Sequence, residues 1–188
     1  MKKIKVGLLT MSDGRNYLHA EYEQLNFKKQ LEIAQALTKT GLFEVVEGTR
    51  IINSNTVAKE EGIRLRESSV EVTIFNYTIW CYPQYTVAAQ NFAPGPYLLF
   101  SNLHPSECGM VGMLAAAGSL DQIGVKYSRL WGDVNDPEVL EKMVSFLRGE
   151  NHIIAFYPKE FYYHMIIAEE KAEISLNALT RRIIDVLT

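Results

Sequence analysis

The stretch VEVTIFNYTIWCYPQYT, residues 70–86, decides how the chain folds. Its opening, VEVTIFNY (70–77), is dense in β-branched and aromatic side chains and reads as a buried strand. Where that strand runs out, Tyr77, Trp80, Tyr82 and Tyr85 crowd into nine positions, and the spacing then predicts a helix near 84–91. A strand, a short loop and a helix form the repeating half of a βαβ unit.

The same alternation extends in both directions. Before it come the strand IKVGLL (4–9), a helix over 21–41 with Leu25, Leu31, Ile33, Ala34 and Leu37 on its apolar face, the strand FEVVEG (43–48), and a polar helix around 53–66. Gly41 supplies a stop signal for the first helix. After it come PYLLFS (96–101), a small-residue helix over 107–124, the strand KYSRLWG (126–132), and a helix over 137–149. Asp136 suits the N-cap of that last helix and Pro137 its first turn.

Strands alternating with helices of ten or more residues require parallel pairing and right-handed crossovers. The expected fold is therefore α/β: a three-layer, doubly wound parallel sheet, flavodoxin/Rossmann-like, of about five strands. At 188 residues and 47% hydrophobic content, residues 1–188 are expected to form a single domain. The segment after Asn151 carries a further apolar run, HIIAFY (152–157), and reads as a terminal helix over 168–188. There are no internal repeats or low-complexity stretches.

Charge and composition narrow the function. A formal net charge of −3 with no basic stripe argues against nucleic-acid binding. The first apolar run breaks at Ser12 and Asp13, too early for a signal peptide, and no run approaches the ~18 apolar residues of a membrane span. The expectation is a cytoplasmic protein with no membrane partner. Cys81 and Cys108 are too few for a disulfide framework. His19, His104, His152 and His164 lie far apart with no HExxH spacing, so no metal site is expected on this chain alone.

In an open parallel sheet, ligands bind beyond the carboxyl ends of the strands, near the point where strand order reverses. Three loops reach that edge. In TMSDGRNYLHAEYE (10–23), Asp13-Gly14 makes a turn and Arg15 offers a planar fork of five donors that can hold a polyol, a carboxylate or a phosphate. The plain alternative is a surface arginine beside a turn. In the 76–90 stretch, Trp80 suits stacking on the C–H face of a sugar, whereas the tyrosines suit capping the sheet or an interface between copies equally well. In SNLHPSECGMVG (101–112), His104, Glu107 and Cys108 sit at a helix start, where a Cys-His nucleophile pair is conceivable but lacks a third, orienting residue.

Taken together, LLTMSDGRNYLHAEYEQLNF, NYTIWCYPQYT and GMLAAAGSLDQIGVKYSRLWGDVNDPEVLEKMVSFLRG resemble the N-terminal domain of the L-fucose isomerase family, with L-arabinose isomerase more distant. The resemblance rests on Asp13-Gly14-Arg15, on Trp80-Cys81, on the run Leu114 to Gly118 and on Gly132-Asp133. It covers about residues 4–149 and leaves 150–188 unaligned.

It implies the substrate-recognition and oligomerisation domain of a sugar ketol isomerase, which interconverts aldose and ketose through an enediol with Mn²⁺ held on other domains. It implies no catalytic residue on this chain, and substrate contact by Arg15, Trp80, Asp13 and Tyr82, made to a sugar or polyol across a homo-oligomer. The other open reading is a stand-alone carbohydrate-binding or regulatory module without catalysis.

Overall fold

A computed structural model describes residues 2–104 and 107–150. The expected strand and helix beyond Asn151 lie outside these residues, as does the question of whether 1–188 is one domain. The described residues alternate strand and helix throughout: β1 Ile4–Met11, α1 Asn16–Lys39, β2 Phe43–Glu47, α2 Asn55–Glu67, β3 Val72–Tyr77, α3 Pro83–Gln90, β4 Tyr97–Ser101, α4 Gly109–Gln122, β5 Ser128–Trp131 and α5 Pro137–Leu147. The strands form one parallel sheet in the order β2-β1-β3-β4-β5. This is the flavodoxin-like order predicted from the alternation, and strand order reverses between β1 and β3.

The strands are buried on both faces because the period-two pattern feeds two cores. Val6, Leu8, Ile74, Leu98, Phe100 and Leu130 face α1 and α5, where Ile33, Leu37, Met143 and Phe146 meet them. The intervening Leu9, Met11, Phe75, Tyr77, Leu99 and Trp131 face the layer built from α2, α3 and α4. Local chemistry sets the helix ends. Ser54 caps α2 by accepting from the Val57 N–H at 3.3 Å. Asp136 caps α5 by accepting from the Glu138 N–H at 2.9 Å, with Pro137 in the first turn. Gly41, at φ +76°, stops α1.

Two features of α1 correct the sequence reading. The helix starts at Asn16, directly after the Asp13-Gly14-Arg15 turn, and not near residue 21. Its buried stripe also differs from the one predicted. Leu31 is exposed, and the stripe runs through Asn26, Gln30, Ile33, Ala34 and Leu37. Asn26 and Gln30 are inside because the strand ends leave polar groups there. Asn26 Nδ2 donates to Ser12 Oγ at 3.3 Å, and Gln30 Nε2 donates to the Gly48 carbonyl at 2.9 Å. Asn26 thus reaches the end of β1, and none of the ten helical residues before it is fully buried.

The small-residue character of α4 is what lets it meet β3. A Cβ on Gly109 would lie 2.2 Å from the Tyr77 carbonyl oxygen, whereas one on Gly118 would meet nothing within 4 Å. Gly109→Ala is therefore expected to lower unfolding stability by on the order of 2 kcal/mol through a backbone clash. Gly118→Ala, in the middle of the same helix, is expected to raise it by ~0.5 kcal/mol. Urea unfolding of both variants checks the pair, and equal effects of the same sign would refute the close approach.

Candidate functional site

The turn after β1 and the loop after β3 meet at the reversal of strand order. Asp13 is 2% exposed and takes three hydrogen bonds from one residue: the Arg15 backbone N–H at 2.8 Å, Nε at 3.0 Å and Nη2 at 2.7 Å. The bidentate pairing fixes the plane of the guanidinium. It also consumes two of the five donors, so Arg15 is aimed, not swinging. These bonds hold the Asp13 carboxyl below the ordinary carboxylate range, against the opposing push of burial, and raise the Arg15 guanidinium further still.

Arg15 Cζ lies 5.8 Å from the centre of the Trp80 ring and 6.0 Å from that of Tyr17, within reach of a cation–π attraction. Trp80 is in turn braced edge-on by Tyr82, ring centres 4.6 Å apart, and Tyr82 by Tyr85 at 5.8 Å. The chain of rings ends at Gly14: a Cβ there would lie 2.0 Å from the Tyr85 hydroxyl, so only glycine lets the turn pass over the tyrosine. Tyr77 is buried beneath, its hydroxyl 2.8 Å from Thr86 Oγ1.

Asp13, Arg15 and Trp80 line one cleft together with Leu18, Tyr22, Ile79 and Cys108. Tyr82 stands behind Trp80 and does not line it. The cleft has a cavity volume of about 180 Å³, below the ~300 Å³ at which pockets begin to enclose a small ligand. Leu18 and Tyr22 are not among the residues the sequence points to, because the sequence reading places the start of α1 near residue 21 and the helix begins at Asn16. The spacing of Leu18, Tyr22 and Leu25, at i, i+4 and i+7, was the signal that extends the helix.

The third loop divides between two places. Cys108 faces the cleft with Arg15, whereas His104 lines a separate pocket with Asn102, Gly132 and Asp133. His104 Nδ1 is 3.7 Å from Glu107, and the Glu107 carboxylate also accepts from Asn102 Nδ2. Cys108 and His104 are therefore not brought together as nucleophile and base. Cys81 is fully buried, which pushes its thiol well up from the ordinary range and leaves it inert.

The family model described as L-fucose isomerase, first N-terminal domain, matches residues 3–154. The chain belongs to the L-fucose isomerase family. No curated protein matches it. As an isomerase N-terminal domain it places the Asp13-Gly14-Arg15 turn and Trp80 on the same edge of the sheet, on either side of the strand-order reversal. Among the described residues no helix is long and apolar enough to cross a membrane, and no three His, Cys, Asp or Glu side chains are grouped so as to hold a metal ion.

The depressed Asp13 carboxyl makes a signed prediction. A carboxylate whose folded value lies below its unfolded value, near 4, stabilises the fold above that pH and loses the contribution as acid titrates the folded group. The native chain is thus expected to be more stable than Asp13→Asn at neutral pH, with the difference shrinking below about pH 4. Thermal unfolding of both proteins from pH 7 to pH 3 measures it, and a constant difference across that range would refute the ion pair.

Proposed function

We propose that this domain recognises the substrate of a sugar ketol isomerase and supplies one wall of an active site that other domains complete. The observation that carries the reading is the fixed guanidinium of Arg15 beside the Trp80 ring at the mouth of the sheet, in a chain of the L-fucose isomerase family. A polyol offers the two surfaces such a wall addresses: hydroxyl oxygens that accept from the remaining Arg15 N–H groups, and a C–H face that packs on an indole. Asp13 orients Arg15, and Tyr82 orients Trp80.

The cleft is too small to enclose a sugar, which supports an oligomer in which this wall closes on the active site of a neighbouring copy. In this reading Mn²⁺ and the base for the enediol proton transfer belong to the rest of the enzyme. The described residues offer no ligand set that fits the metal. Its place of work is the cytoplasm.

The test is a titration of the 188-residue chain with a panel of aldoses, ketoses and alditols, followed by tryptophan emission and ligand-detected NMR. Of the two tryptophans, Trp131 is 2% exposed, so a change on binding reports Trp80. Saturable binding in the millimolar range is expected, abolished by Trp80→Ala and weakened roughly tenfold, about 1.4 kcal/mol, by Arg15→Ala. A flat titration across the panel, or undiminished binding by the Trp80→Ala protein, would refute the reading.

A further inference from the structure

The turn that presents Arg15 is gripped at both ends by a single residue. His19 donates its backbone N–H to the Arg15 carbonyl at 2.9 Å, and its ring Nδ1 lies 3.1 Å from Ser12 Oγ. Ser12 is fully buried and anchored to the sheet, its N–H donating to the Ile52 carbonyl at 2.7 Å. Asp13, Gly14 and Arg15 are all that lies between these two attachments.

Two side chains of α1 converge on this one hydroxyl. Asn26 Nδ2 also meets Ser12 Oγ, at 3.3 Å, so the buried Ser12 side chain ties α1 at two points, seven residues apart, to the end of β1.

We propose that His19 is the positioning residue that fixes Arg15 for sugar recognition. The start of α1 needs such a tie. Its N-cap, Arg15, makes no side-chain capping bond, its first turn carries no acidic residue, and none of its first ten residues is fully buried. The ring of His19, held one turn in from the cap, joins this end of the helix to the buried end of β1. The inference rests on the reading of Arg15 as a sugar contact, but the geometry it claims is measurable without any sugar.

The experiment uses the ¹⁵N-labelled full chain and three variants. His19→Asn keeps a hydrogen-bonding group where Nδ1 stands, His19→Gln moves it out to the position of Nε2, and Ser12→Ala removes the partner. The readouts are the hydrogen bond at His19 Nδ1, from the ring ¹⁵N shifts in long-range ¹H–¹⁵N spectra, and the Arg15 Nε–H resonance, displaced by its bond to Asp13 and by the nearby Trp80 ring. Native protein and His19→Asn are expected to keep a displaced, slowly exchanging Arg15 signal, whereas His19→Gln and Ser12→Ala shift it to the position of a free arginine.

If His19 only fills space, glutamine, the closer match in volume, preserves the signal and asparagine loses it, and that order overturns the proposal. So does a native chain whose ring ¹⁵N shifts show no hydrogen bond at His19 Nδ1, a measurement that stands even where a variant fails to fold. Sugar affinity is then read on the same proteins, with several-fold weakening in His19→Gln and rescue in His19→Asn. A native chain that shows the stated Nδ1 bond and Arg15 signal yet binds no sugar sinks the recognition reading and leaves the positioning intact.

Discussion

Every residue of β3 is buried, and the rest of the molecule follows from that constraint. A strand with no wet face must pair on both edges and be covered on both sides, since each unpaired N–H or C=O would otherwise be stranded away from water. β1 and β4 satisfy the edges, while α1 and α5 cover one face and α2, α3 and α4 the other. Its polar side chains are satisfied internally as well. Thr73 Oγ1 donates to the Pro94 carbonyl at 2.6 Å, and Asn76 Nδ2 donates to Thr10 Oγ1 at 3.1 Å. Only past Tyr77 does the chain reach solvent, so the first place it can meet a ligand is the loop that holds Trp80.

The fold was legible because this constraint leaves its mark in composition. Continuous apolar strands, helices of ten or more residues between them, and stop or cap residues such as Gly41, Asp136 and Pro137 all carry local signals, and they agree with one another. Strand order followed from handedness and short connections. The exception was α1, where the pattern was weighed by hydrophobicity alone. Asn26 and Gln30 belong to its buried face because they serve polar groups at the ends of β1 and β2, and no periodicity of apolar residues reveals a partner that distant in sequence. Leu31, apolar and nearby, therefore took a place on the predicted face that the structure gives to Gln30.

The cleft was partly legible for a related reason. Topology alone brings the loops after β1 and β3 together, so Asp13, Arg15 and Trp80 could be grouped from the sequence before any contact was known. Their mutual arrangement could not. That Arg15 folds back on Asp13 and that Tyr82 braces Trp80 from behind are matters of local conformation that residue type does not reveal, and the close approach of Gly14 to the Tyr85 hydroxyl is a fact of packing between segments some seventy residues apart. The pairing of Cys108 with His104 fails on the same ground. Four residues apart in sequence, they line different pockets.

In the proposed reading, a wall of this kind contributes by being ready before the substrate arrives. A free arginine would lose rotamer freedom on binding, and Asp13 has already imposed that loss during folding at the expense of two donors. The aromatic stack does the same for Trp80, whose ring has few ways to move between Tyr82 and the guanidinium. The start of α1 is the weak point of such a design, since none of the side chains in its first turns is fully buried and they could fray. The polar contacts among His19, Ser12 and Asn26 tie that end to the sheet, and an orienting site built there needs a fixed geometry more than it needs further apolar area.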